Sequence, residues 1–173
     1  MKRRRQTRTI NEWDSQYQLH SKPITDTRLD PDRLIPYDVE PVIRRANGET
    51  VMMLGGARIV AASMRWDPAS GKLTSDVSAV AVVLQDESGR RYLHRVERLL
   101  GDVAVFDEDG KTIIGGQVFQ LCDIVKEFSA MRVTVETNGI GQFAPVVLRA
   151  ALKQRKLHCA VKEEPAVANK DKR

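Results

Sequence analysis

The distribution of apolar and polar residues through the centre of the chain predicts three consecutive β-strands. The run 58–66 is apolar enough for a buried strand, and 78–84 is a second such run. The run 91–99 alternates between apolar and polar residues, which is typical of a strand with one buried face. The first strand should end at Asp67, because Pro68 cannot donate a ladder hydrogen bond. A Gly-containing loop separates the first two runs and a turn at 86–89 separates the last two, and the three runs together predict an antiparallel meander.

Two β-prone runs precede the meander, between Pro41 and Leu54. They flank Asn47-Gly48, a dipeptide that strongly favours a tight hairpin turn, so a β-hairpin is expected there. Residues 1–36 contain three prolines and mostly polar side chains, with a weak helical run around 10–19. This composition predicts a linker segment rather than a folded unit.

Helical spacing replaces the β pattern after Gly116. Apolar residues recur three or four positions apart and predict an amphipathic helix: Val118, Leu121, Cys122, Val125 and Phe128. A short strand over 131–135 should follow, then a helix over 143–152 and a strand over 157–161. Residues 37–173 are therefore expected to form one α/β domain with a mixed sheet: three antiparallel strands, then helix, strand, helix and strand.

Composition places the chain among soluble globular proteins. Its 173 residues suit a single domain, and no apolar stretch approaches the roughly 18 residues of a membrane span. The basic start, Met1–Arg5, is followed by polar residues instead of the apolar core of a signal peptide, so export is not expected. The two cysteines, Cys122 and Cys159, have no metal-binding spacing and are expected to be ordinary core residues.

Charge is uneven along the sequence. Lys and Arg outnumber Asp and Glu by eight to five in residues 1–36 and by seven to three in residues 150–173, whereas acids predominate by fifteen to thirteen between them. Basic ends around an acidic centre suit an enzyme that grips a phosphate backbone and holds metal with carboxylates. Solvated tails would have the same composition.

Two acidic residues stand where apolar strands end, Asp67 and Glu136. Carboxylates delivered by separate strands to one sheet edge can hold Mg²⁺ or Mn²⁺, which prefer hard oxygen ligands. Acids at strand ends also serve as turn or cap residues. Asp76 is either an accessory metal ligand or a plain loop acid.

Other polar positions are candidates for nucleic-acid contact. Asn138 and Gly139 precede a helix, where free N–H groups can approach a phosphate. A tight turn that needs a positive φ explains the glycine better and would coexist with that contact. Lys153, Arg155 and Lys156 cluster at the predicted C-terminus of that helix. His94 is expected to be a surface or partly packed residue. Four further acids are expected to be solvated turn residues: Asp86, Asp102, Asp107 and Asp109.

These segments resemble the nuclease domain of tailed-phage terminase large subunits, which has a ribonuclease H-like fold. The resemblance is carried by Trp66–Ala69, Ser75–Ser78, the meander and Val133–Gly141, while 9–19 resembles the segment that follows the ATPase motor. It implies a Mg²⁺- or Mn²⁺-dependent endonuclease with Asp67 and Glu136 as catalytic metal ligands. It also implies double-stranded DNA as substrate, the portal protein and terminase small subunit as partners of the parent protein, and the host bacterial cytoplasm as location.

The sequence departs from that family in two respects. It has no Gly-x-x-x-x-Gly-Lys-[Ser/Thr] motif, so the ATPase half is not expected here. The family's third carboxylate lies on a helix after the fifth strand, and Asp171 comes too early for that role, which predicts a C-terminally incomplete domain with weak or no activity. Two functions stay open: an endonuclease domain that cuts concatemeric DNA, and a catalytically incompetent prophage remnant or DNA-binding module.

Overall fold

A mixed β-sheet with helices packed on one face forms the centre of the fold. A computed structural model describes residues 35–46, 49–69, 77–137 and 142–165. The chain divides into two units, Met1–Val39 and Glu40–Arg173, and all described helices and strands lie in the second. The helical run predicted around 10–19 lies outside the described residues.

The described strands and helices follow the predicted order, with one additional ribbon. Their bounds are β1 (Pro41–Ala46), β2 (Glu49–Leu54), β3 (Ala57–Asp67), β4 (Ser78–Asp86), β5 (Arg91–Leu99), β6 (Val105–Phe106), β7 (Ile113–Gly115), α1 (Gln117–Phe128), β8 (Arg132–Glu136), α2 (Ala144–Gln154) and β9 (Ala160–Glu164). The predicted α/β class with a mixed sheet is confirmed.

Strand β3 is the centre of a seven-stranded sheet. On one side it pairs antiparallel with β4, which pairs antiparallel with β5. On the other side, its second half pairs parallel with β8, and β8 pairs parallel with β9. Across this part of the sheet the strand order is therefore β5-β4-β3-β8-β9, with the amino-terminal three strands as a meander.

The predicted N-terminal hairpin is confirmed. Strands β1 and β2 pair antiparallel with Ala46 opposite Glu49, which leaves a two-residue connection at Asn47-Gly48. That dipeptide lies outside the described residues. Strand β2 also pairs antiparallel with the first residues of β3, through a second two-residue connection in which Gly55 has a φ of 59°. The hairpin therefore extends the sheet beside the first half of β3.

The hydrophobic core lies between the sheet and the two helices. In β3, β4 and β8 alternate residues are buried, and the large ones are fully inaccessible: Trp66, Val80, Val82, Leu84, Val133 and Val135. The apolar stripes of α1 and α2 pack on this face, as the 3.6-residue spacing predicted. No described helix is long and apolar enough to cross a membrane.

The last strand begins three residues later than predicted, at Ala160 rather than Leu157. Residues 155–157 close the C-terminus of α2 instead, because Leu157 N donates to Leu152 O at 2.9 Å and Lys156 N to Lys153 O at 3.1 Å. Lys156 takes a left-handed conformation there, with a φ of 55°, which is a common way to end a helix. The shift moves the end of the strand from Val161 to Glu164.

The ribbon of β6 and β7 was not predicted from the sequence. Its strands have two and three residues, too few for a period of two to be recognised. The turn between them is held by the Asp107 carboxylate, which accepts hydrogen bonds from Lys111 N at 2.9 Å and Thr112 N at 3.0 Å. These bonds, chiefly that from Thr112, lower the pKa of Asp107. Asp107 is thus a structural turn residue.

Asp86 is not the solvated turn residue that was expected. It is only 5% exposed, and its carboxylate accepts hydrogen bonds from Ser88 Oγ at 2.7 Å, Tyr92 Oη at 2.7 Å and Arg90 N at 3.0 Å. The bonds from Ser88 and Tyr92 contribute most to lowering the pKa of Asp86 to about 2, from an ordinary value of 3.8. The charged carboxylate therefore stabilises the β4–β5 turn.

Replacing this carboxylate should change how stability depends on pH. Because folding depresses the pKa of Asp86, its stabilisation is complete above about pH 3.8 and is lost as the pH falls towards 2. We expect Asp86→Asn to be less stable than wild type at neutral pH, with the difference shrinking through that acidic range. Urea unfolding across pH measures this, with the exposed Asp109→Asn as control. A difference that stayed constant down to pH 2 would contradict the assignment.

Candidate functional site

The carboxyl ends of three neighbouring parallel strands each carry an acidic residue. Asp67 ends β3, Glu136 ends β8 and Glu164 ends β9. In the register, Trp66 lies opposite Val135, and Glu136 lies opposite Glu164. The three acids therefore share one row at this edge of the sheet, here named the carboxylate edge. Asp67 and Glu136 come to neighbouring strand ends, as parallel pairing requires.

Glu164 was missed because the last strand was predicted three residues too early. The sequence does contain a signal for it, since Glu164 stands directly before Pro165 just as Asp67 stands directly before Pro68. In both places an acidic residue ends a strand that the proline cannot continue. Thr137 N donates to Glu164 O at 3.2 Å, which continues the pairing of β8 and β9 to the end of the row.

Arg65 provides a cation for two of these acids. It lies two residues before Asp67 and so projects from the same face of β3. Its Nη1 is 2.9 Å from Glu164 Oε2, and its Nη2 is 3.5 Å from Glu136 Oε2. The Glu136 side chain is 17% exposed, against 44% for Arg65. The guanidinium thus bridges β8 and β9 and neutralises part of the negative charge of the edge.

The carboxylate edge suits a hard divalent ion in its donor chemistry, because carboxylate oxygens are the ligands that Mg²⁺ and Mn²⁺ prefer. In the structure, however, two of its carboxylates form ion pairs with Arg65. Within the described ranges, no group of three His, Cys, Asp or Glu side chains is arranged to hold a metal ion. Metal binding at this edge would require Arg65 to give up its contacts with Glu136 and Glu164.

A buried polar network holds the end of β3, where Asp67 lies. Trp66 Nε1 donates to Ser78 Oγ at 3.0 Å. The Ser78 hydroxyl lies 2.7 Å from Gln117 Oε1 and 3.2 Å from the Asp67 carbonyl oxygen, two acceptors for its single proton. Both Ser78 and Gln117 are fully buried. The network therefore ties the carboxyl end of β3 to the start of β4 and to α1.

Gln117 extends this network to two loops. Its Nε2 donates to the carbonyl oxygens of Ala69 at 3.0 Å and Gly101 at 2.6 Å. The described side chains include no buried nitrogen or oxygen atom without a hydrogen-bond partner. Periodicity could not reveal this role, because it assigns the buried face of a helix to apolar residues. A glutamine on that face was the available signal.

Some predicted site residues lie outside the described part of the chain. Asp76, Asn138 and Gly139 are among them, so the predictions of an accessory metal ligand and of a phosphate contact at these positions stay predictions.

The predicted basic residues lie at the opposite end of the sheet from the carboxylate edge. Helix α2 connects the carboxyl end of β8 to the amino end of β9, so its last turn is at the amino ends of these strands. A groove of about 560 Å³ opens there, here named the basic groove, and it is lined by Arg149, Leu152, Lys153, Lys156, Leu157, His158 and Cys159. Lys153 and Lys156 are therefore close to each other and separate from Asp67 and Glu136.

Arg155 is directed to α1 rather than to the basic groove. Its Nη2 is 2.6 Å from Asp123 Oδ1, its Nη1 donates to Phe119 O at 3.1 Å, and its guanidinium carbon lies 5.1 Å from the centre of the Phe119 ring. These contacts join the C-terminus of α2 to α1. The observed contacts of Arg155 are structural.

His94 and the cysteines have packing roles. His94 is a partly packed residue, as predicted. Its side chain is 5% exposed, lies 3.3 Å from Glu40 through Nε2 and packs edge-on against Phe128. Cys122 is buried and Cys159 half-buried, and both are free thiols. Burial raises the pKa of Cys122 to about 11, which makes it an inert core residue, as predicted.

Comparison of the sequence with models of protein families gives no match, and comparison with curated proteins gives none either.

Proposed function

We propose that the chain is a metal-dependent DNA endonuclease domain of the kind found in tailed-phage terminase large subunits, with a ribonuclease H-like fold. The observation that carries the proposal is the position of Asp67 and Glu136 at the adjacent carboxyl ends of β3 and β8. The strand order supports it. The antiparallel meander of β3, β4 and β5 is followed by β8 and β9, which run parallel to β3 and extend the sheet from its other side.

In this proposal Asp67 and Glu136 hold the metal ions, and Glu164 is the third carboxylate. Glu164 replaces the acid that the resemblance expects on a later helix. Two divalent ions held by these carboxylates would activate a water for attack on phosphorus and would stabilise the leaving oxygen. The chain's own part is positional: the Trp66–Ser78–Gln117 network fixes the end of β3, and parallel pairing sets Glu136 beside Glu164.

Arg65 favours a second candidate function, a module that keeps the fold and binds DNA without cutting it. Its guanidinium holds Glu136 and Glu164 at 3.5 and 2.9 Å. An ion pair of this kind supplies the positive charge that a metal ion would otherwise supply. In the nuclease, Glu136 and Glu164 would have to release Arg65 to hold a metal ion, whereas in the non-cutting module they would keep their ion pairs with Arg65.

Nicking of supercoiled plasmid in Mn²⁺ tests the proposal. We expect slow nicking by the wild type and a loss of about 100-fold or more in Asp67→Ala, because a charge-stabilising ligand is removed from the transition state. Asp109→Ala, which removes an exposed acid elsewhere, should nick at the wild-type rate. Calorimetric titration with Mn²⁺ gives a second readout that does not depend on turnover.

Arg65→Gln separates the two candidates. If Arg65 competes with the metal, this variant should bind Mn²⁺ several-fold more tightly than the wild type. Nicking that survives in Asp67→Ala would come from a contaminant and would contradict the assignment. No Mn²⁺ binding and no nicking in either wild type or Arg65→Gln would overturn the nuclease proposal and leave the non-cutting module.

A further inference from the structure

The basic groove combines positive charge with an apolar floor. Lys153, Lys156 and His158 are exposed, and none of them forms an ion pair with a residue that the structure describes. Arg149 at the rim is different, since Glu163 holds it at 2.8 Å. The floor is formed by Leu152, Leu157 and Cys159, which are buried or half-buried. The groove therefore carries net positive charge.

Lys156 is held in a conformation that lysine disfavours. Its φ of 55° places it in the left-handed region, where the Cβ atom crowds the following carbonyl and where glycine is preferred at the end of a helix. A glycine would close α2 equally well, because the hydrogen bond from Leu157 N to Leu152 O does not use the Lys156 side chain.

We infer that the basic groove binds the phosphodiester backbone of DNA, at a surface separate from the carboxylate edge. Lys153 and Lys156 contact phosphates, and the apolar floor accommodates the sugars. The inference rests on the proposed function in taking DNA as the ligand. The groove and the carboxylate edge lie at opposite ends of two five-residue strands, so they are separated along the strand direction by roughly 13 Å, four steps of about 3.3 Å. The groove is thus a second contact with the nucleic acid, away from the reacting phosphate.

Binding of a short labelled duplex, followed by fluorescence anisotropy at several salt concentrations, tests this inference. We expect Lys153→Gln/Lys156→Gln to weaken binding about tenfold and to reduce the slope of log K against log salt by about 1.8, because two phosphate contacts are lost. Lys111→Gln/Lys126→Gln removes two exposed lysines elsewhere and should change the affinity less than about twofold. Equal binding by wild type and the groove variant, or equal loss in the control pair, would overturn the inference.

Lys156→Gly removes the same lysine and is expected to keep the domain folded, so a loss of DNA binding in this variant would not come from unfolding. It should raise the melting temperature, since glycine relieves the left-handed conformation, and it should still weaken DNA binding. A rise in stability with unchanged affinity would show that Lys156 does not contact DNA. Inorganic phosphate is added at constant ionic strength as a further competitor. Lysines that contact a DNA backbone should release the duplex only at phosphate concentrations far above that of the duplex. Displacement at a phosphate concentration close to that of the duplex would identify a free-phosphate site and overturn the inference.

The same measurements separate this inference from the proposed function. Asp67→Ala should lose nicking while it keeps its affinity for the duplex. If the wild type never nicks DNA but the groove variant loses binding, only the nuclease proposal fails. If nicking depends on Asp67 but the groove variant binds like the wild type, only the groove inference fails.

Discussion

Gly116→Ala is expected to destabilise the domain strongly. An added Cβ atom at this position would lie 2.7 Å from Ala104 Cα, 2.7 Å from Asp102 O and 3.0 Å from Ala104 N. All three are backbone atoms that cannot rotate away, and Gly116 also has a φ of 94°. We expect a loss of about 4 kcal/mol or more in the free energy of unfolding, a large part of the total for a domain of this size. Urea denaturation followed by circular dichroism measures it.

The close approach at Gly116 exists because a loop caps α1. Gln117 N donates to Asp102 O at 2.9 Å and Val118 N to Val103 O at 3.0 Å, which satisfies amides that a helix N-terminus leaves free. Gly110→Ala is the matched control, because its φ is 67° but nothing lies within 4 Å of the added atom. It should cost only about 1 kcal/mol. Similar losses in the two variants would show that the backbone angle, and not the contact, is decisive.

Gln117→Leu is expected to destabilise the domain by about 2 kcal/mol, because it removes the donor from the carbonyls of Ala69 and Gly101, whose bonds with Nε2 are partly buried, and breaks the buried bond between the Ser78 hydroxyl and Gln117 Oε1. Leucine preserves the size and the helix propensity of the side chain, so the loss reports the hydrogen bonds. Urea denaturation gives the change in the free energy of unfolding. Amide hydrogen exchange at the end of β3 should accelerate, since the network anchors that strand end.

Gln120→Leu is the control for this prediction. Gln120 lies on the same helix, donates to Leu100 O at 2.8 Å and accepts from Leu100 N at 3.2 Å, but these bonds are exposed. Water replaces such bonds, so a loss of only about 1 kcal/mol is expected. If the two leucine variants were equally stable, the Gln117 network would contribute nothing beyond an ordinary surface bond.

Much of the fold could be predicted from local patterns in the sequence. The meander, the hairpin and both helices were predicted within a few residues, because each has a period or a turn signal of its own. Errors arose where the signal was short or was absent. The β6–β7 ribbon has too few residues for a period, and β9 was placed too early because the chain at 155–157 closes α2 before the strand begins.

Only part of the candidate site could be predicted from the sequence. Asp67 and Glu136 could be proposed as neighbours, because each ends a predicted strand. The contact of Arg65 with Glu136 and Glu164 spans 71 and 99 residues of sequence, and no local pattern describes it. Lys153 and Lys156 were selected as a cluster, but their distance from the carboxylates depends on the direction in which α2 crosses the sheet.

By itself, the sequence determined most of the strands and both described helices and which of their faces are apolar, because side-chain periodicity within a few residues encodes both properties. It also determined the strand ends at which Asp67 and Glu136 stand. Only the tertiary structure decided that Glu164 completes their row, that Arg65 already occupies two of the acids and that the basic groove lies at the other end. These features depend on strand register and on contacts between distant segments. Both form only when the chain packs, and no periodic pattern in the sequence encodes them.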